Sequence, residues 1–103
     1  MAEHDFSTLF AHYPAIIAQM KDTFTTHKFI LELARQNQTQ YVEALYNYRH
    51  RVHMENPAPF LYVHQALATH LRNYPELIVQ IRPDASSKDI FGQDNNCSEW
   101  RTL

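Results

Sequence analysis

HKFILELARQNQTQYVEALYNYRHRV, running from His27 to Val52, decides the architecture. Ile30, Leu33, Ala34, Tyr41, Ala44, Leu45 and Tyr48 recur at spacings of three and four, with Asn37 on the same line. That period marks one face of a helix. Phe29, Leu31 and Val42 broaden the stripe. No Gly or Pro interrupts it, so the spacing predicts one uninterrupted helix over 26–51 around which the other segments pack. Thr25 or Thr26 supplies a hydroxyl for the orphan N–H groups of its first turn.

Working outward, Asp5 can cap a first segment, and Pro14 suits the first turn of a second, where a missing N–H costs nothing. Residues 6 to 21 read as one kinked helix or two short ones. DTFTTHK, with three threonines, has no helical drive. After the long helix, MENPAP places two prolines within three residues and opens a third helix near Pro59. Phe60, Val63, His64, Leu67 and Leu71 form its buried face, and Asn73 and Pro75 end it. ELIVQIR changes the period from helical to two, which predicts a strand over 77–82, closed by Pro83. Ser86 and Asp89 match a capping box and Gly92 a left-handed exit, so one helical turn is expected there. SEWRTL reads as a returning strand. The expected fold is a single small globular domain over 1–103. It is α+β, mostly α, with three main helices followed by a C-terminal two-stranded β-hairpin whose connection holds a short helical turn.

Composition excludes several classes. At 103 residues and 45% hydrophobic, the chain fits one globular domain and is not of disordered composition. Its one Gly argues against a Gly-rich phosphate loop, a sandwich or a barrel. Nine basic residues against eleven acidic ones give no overall attraction for nucleic acid or membrane. Cys97 is the only cysteine, which rules out an intrachain disulfide and leans towards a cytoplasmic location. The acidic start MAEHDF, with no long apolar run after it, does not read as a secretory signal. No apolar run approaches the ~20 residues of a membrane helix, so a soluble protein is expected.

YRHRVH, Tyr48 to His53, concentrates two arginines and two histidines. At a helix C-terminus such cations offset the negative end of the dipole. Phosphate contact is the functional alternative: Arg49, His50, Arg51 and His53, joined by Arg82 and Arg101 from the hairpin. Helices followed by a hairpin are similar in outline to a winged helix. His50 and His53, three apart, share a helix face, but zinc needs three or four ligands. Cys97, His64, His70 or Glu55 would have to join them, so no metal site is assigned. Arg49 and His50 also resemble the start of the HEPN ribonuclease motif, an arginine, a polar residue, three free positions and a histidine. The sixth position here is Met54, and His53 falls one residue early. A spacing of four would still put Arg49 and His53 on one helix face.

No residue set points to a catalytic nucleophile, a cofactor or a small-molecule ligand. Asp94 and Glu99 flank Cys97 and disfavour a thiolate. Tyr41, Tyr46, Tyr48 and Tyr62 pair an apolar ring with a polar tip and suit either the core or a subunit interface. DIFGQDNNCSEW holds the only Gly and Trp and three amide side chains. It reads as a tail clamped by Trp100 or as a recognition loop offering Gln93, Asn95 and Asn96. The expectation is a small soluble binding or regulatory module, non-enzymatic and self-associating. The alternatives are a winged-helix-like nucleic-acid-binding domain and a small His-dependent nuclease or metal-binding protein.

Overall fold

The computed structural model describes residues 5–103. Two short helices open it, α1 (Ser7–Phe10) and α2 (Tyr13–Gln19), the second with Pro14 in its first turn. The Asp5 carboxylate accepts from the Ser7 N–H at 2.9 Å. Strand β1 (Thr23–Thr25) follows and passes directly into α3 (Thr26–Gln36), whose cap is Thr25, its hydroxyl accepting from the Lys28 N–H at 3.2 Å.

The long helix expected over 26–51 is two helices. Asn37 leaves the helical region, at φ −135° and ψ 54°, and α4 (Gln38–Asn47) starts beyond it. The break costs little because the buried Asn37 amide Nδ2 and its own backbone N–H both donate to the Leu33 carbonyl, each at 3.1 Å. The apolar stripe survives the break because Asn37 lies on it: Ile30, Leu33, Ala34, Ala44 and Tyr48 are all buried. A small hairpin then replaces the expected helix end and the Pro-rich connection, β2 (Val52–His53) with β3 (Asn56–Pro57). Its two loop residues, Met54 and Glu55, both have positive φ, 52° and 69°.

Helix α5 (Pro59–His70) and a 3-10 turn (Leu71–Asn73) follow the predicted bounds closely. Val63, Leu67 and Leu71 lose all solvent contact, each worth ~1.5–3 kcal/mol of burial. They meet Leu9, Tyr13, Ile16, Phe29 and Leu33 in one core. Tyr13 is tied to α5 by its hydroxyl, which donates to the Leu67 carbonyl at 2.6 Å.

The chain ends in two long strands, β4 (Ile78–Lys88) and β5 (Asp94–Thr102). The sheet has three strands in the order β1-β5-β4, all antiparallel, with Phe24 opposite Trp100 and Gln80 opposite Trp100 on the other side. Eleven residues of β4 face nine of β5, and the register shifts twice, between Gln80 and Arg82 and between Arg82 and Ala85. Pro83 sits in this bulged stretch of an edge strand, a setting in which a sheet tolerates it.

The expected fold class is therefore corrected. The chain is α+β, with four helices of seven residues or more, a three-stranded sheet and a separate two-stranded one. No helical turn interrupts the hairpin: Ser86 belongs to β4, and Asp89 organises a tight loop. Trp100 does clamp the tail onto the helices. Its indole N–H donates to the buried Thr26 hydroxyl at 2.9 Å, and that hydroxyl donates to the Ser98 carbonyl at 3.2 Å. Among the described residues no helix is long and apolar enough to cross a membrane.

Candidate functional site

The β4–β5 hairpin arches over α3 and α5 and encloses a groove of about 540 Å³. That lies within the size of ordinary small-ligand sites, roughly 300–1,000 Å³. Its far end is built by the hairpin loop. The Asp89 carboxylate accepts from the N–H groups of Phe91 (2.9 Å) and Gln93 (3.1 Å). The Asp89 N–H donates to the Gln93 carbonyl, and the Gly92 N–H to the Asp89 carbonyl. Gly92 takes φ +78°, which closes this ring of bonds and which a side chain would oppose. The local signal read as a helix cap is thus a loop cap.

This loop holds Phe91 edge-on against Phe60 of α5, with ring centroids 4.7 Å apart at 75°. Both rings stay open to solvent, 55% and 42% exposed. The His64 ring lies 6.4 Å from Phe91 and nearly parallel to it. Behind them, Ile30 and Ala68 give an apolar floor, and Gln93, Asn95 and Asn96 bring amide groups to the rim.

Two residues of opposite charge, Arg72 and Asp89, line the groove, and its His64 is uncharged. Burial pushes the His64 imidazole down to about 4, with the nearby His27 adding to the effect and the Asp89 charge opposing it. The Tyr41 hydroxyl of α4 lies 2.6 Å from His64 Nε2, and burial pushes this phenol up to about 12. Both groups are therefore uncharged at neutral pH, and a Tyr41 O–H donating to a neutral imidazole satisfies both. His27 also lines the groove, and its Nδ1 is buried with no hydrogen-bond partner. Buried polar atoms are seldom left so.

Of the residues singled out in the sequence, the three amides, His64 and Cys97 line this groove, whereas the basic cluster and the tyrosines fall elsewhere. Because α4 stops at Asn47, Arg49, His50, Arg51 and His53 share no helix face. The face arguments for a His50–His53 pair and for Arg49 with His53 therefore fail. The Arg49 guanidinium lies 3.8 Å above the Tyr46 ring and donates to the Tyr46 carbonyl at 2.8 Å. Arg51 stands over Tyr48 and Tyr62, at 5.3 and 5.7 Å. His50 and His53 are exposed. Arg82 pairs across the sheet with Glu99 at 3.1 Å, and the exposed Arg101 sits opposite Val79. Those two belong to the sheet, which packs on α3, whereas Arg51 lines a separate depression beside Tyr62 and His70. Among the described residues no group of three or more His, Cys, Asp or Glu could hold a metal ion.

The tyrosines are mostly engaged within the chain. Tyr48 is buried, stacked between Phe6 and Tyr62; the Tyr62 hydroxyl donates to the Val52 carbonyl at 3.0 Å; Tyr41 is bound to His64. Tyr46 is exposed. Sequence reasoning missed His27, Phe60 and Phe91 as site residues. The one available signal was the stretch DIFGQDNNCSEW, whose amides and Phe91 do line the groove. No family model, curated protein or solved structure matches this chain.

Proposed function

We propose that this chain is a small non-enzymatic binding module whose working surface is the groove beneath the β4–β5 hairpin. The observation that carries this is the pair Phe60 and Phe91, held ring to ring by a bonded loop while both remain about half exposed. Exposed aromatics normally move; a loop that fixes one over another prepares an apolar clamp before any ligand arrives. The neutral His64–Tyr41 pair and the amide rim add hydrogen-bonding groups without net charge, which fits an uncharged, aromatic or aliphatic group as the part recognised. His64 already spends Nε2 on Tyr41, which favours binding over acid–base chemistry. A cytoplasmic location agrees with a single free cysteine, Cys97.

The test is a titration of the ¹⁵N-labelled protein with small aromatic fragments such as indole and phenol. Shifts should gather at Phe60, His64, Phe91 and Asn96, and disappear in Phe91→Ala. Shifts scattered over the whole surface, or equal in the variant, would remove the groove as the working site.

Self-association is a second proposal, favoured by Val42 and Tyr46, four apart on α4 and 60% and 61% exposed. Sedimentation at several concentrations tests it, and a strict monomer that stays so at high concentration ends it.

A further inference from the structure

Neighbouring residues of a strand turn their backbone groups to opposite sides. In β5 the even-numbered residues face β1. The Thr102 N–H donates to the Asp22 carbonyl, Trp100 is paired with Phe24, and the Ser98 carbonyl takes the Thr26 hydroxyl. Beyond Ser98 there is no β1 left, because Thr25 is its last residue and α3 begins. Asn96 and Asp94 therefore turn the same groups past the end of β1, where no strand of the described residues meets them. Among the described residues the Asn96 N–H is met by the side chain next to it, Asn95 Oδ1 at 2.9 Å. Asn95 to Ser98 line the groove.

The other free edge is guarded. All of β4 is an edge strand, and it carries two bulges, Pro83 without an N–H, and the charges of Arg82 and Lys88. These are the devices by which sheets refuse a further strand. The free stretch of β5 has no proline and no bulge. Residues of α3 and α5 line the same groove as this stretch.

We propose that the groove binds an extended peptide segment of a partner protein, which adds to β5 as a strand opposite Asp94–Ser98, in line with β1, and seats one large apolar side chain between Phe60 and Phe91. This rests on the groove as the binding site and names what it takes. Main-chain hydrogen bonds to β5 supply affinity, and the apolar clamp selects the side chain. The Asn95 side chain holds the Asn96 N–H until the peptide replaces it.

The experiment uses the full chain and a panel of blocked heptapeptides. Each alternates threonine with valine or isoleucine, carries terminal lysines for solubility, and varies at the centre through Phe, Tyr, Trp, Leu and Val. Shifts of the Asn96 and Ser98 amides together with Phe91 are expected for the best members. Methylating the peptide nitrogens that face β5 should weaken binding roughly tenfold or more, the loss of one or two backbone hydrogen bonds, whereas methylating the opposite ones should leave it within about twofold. Asn96→Pro removes the same N–H without touching the β4 ladder and should abolish binding while Trp100 fluorescence stays native. Equal binding by both methylated forms, shifts along Arg82–Lys88 in place of β5, or no shift with any member overturns strand addition. Aromatic fragments still shifting Phe91 in that case would leave the groove standing, and their failure as well would remove both.

Discussion

Replacing Thr26 by valine removes a single hydroxyl and leaves the volume of the side chain almost unchanged. That hydroxyl accepts from the Trp100 indole and donates to the Ser98 carbonyl, at 2.9 and 3.2 Å. Thr26 and Trp100 are both buried, so water cannot replace the lost acceptor. An indole N–H left without a partner costs about 1–3 kcal/mol, and the half-buried Ser98 carbonyl adds a fraction of that. Thr26→Val should therefore lose about 2–3 kcal/mol of unfolding free energy, which for a chain of this size lowers Tm by roughly 10–20 °C. Thr26→Ser keeps both hydrogen bonds and gives up one methyl group, a loss of about 0.8 kcal/mol. Urea unfolding followed by fluorescence reads the site directly, because Trp100 is the only tryptophan. Circular dichroism supplies the second probe, and the slope with urea should not change. A valine variant within about 0.5 kcal/mol of the parent, or less damaging than serine, would refute this account of how β5 is held to α3.

Three further outcomes follow from local geometry. The folded pKa of His64 is about 4, below the ordinary value, so its contribution is complete above about pH 6.5 and is lost as pH falls towards 4. Since the ring is partly open to the groove, the loss should be about 2 kcal/mol, and His64→Gln should flatten the dependence of the urea midpoint on pH. Met54 and Glu55, both at positive φ in a two-residue hairpin loop, fit Asn-Gly better, and that double replacement should stabilise by about 1–2 kcal/mol in thermal unfolding. Gly92→Ala should cost about 1 kcal/mol from backbone strain alone, because nothing lies within 4 Å of the added methyl, and Gly92→Asn should cost less.

Helix starts were legible because their signals are local and chemical. Pro14, Thr25 and Pro59 act where they stand in sequence. The apolar stripe from Ile30 to Tyr48 was legible as well: Ile30, Leu33, Ala34, Ala44 and Tyr48 are buried and Tyr41 and Leu45 half-buried, although Val42 stands in solvent. The break at Asn37 was not, because an asparagine in step with the stripe gives no sign that it will leave the helix. Pro83, Ser86 and Asp89 misled for a different reason. A proline and a capping pair mark the end of a strand in isolation, but on a bulged edge strand a proline is tolerated, and an aspartate caps loops as readily as helices. β1 was invisible because three residues acquire strand geometry only from a partner about 75 positions away. The same distance hid the groove: Phe60 and Phe91 meet only after the hairpin has folded back.

β5 comes last of the elements in chain order and yet lies in the middle of its sheet. During synthesis, the backbones of β1 and β4 must wait for it with no strand beside them. The helices can gather early through nearby contacts, while the sheet closes in one late step that joins distant parts of the chain. Refolding should show that order as a fast gain of helix signal followed by a slower tryptophan phase.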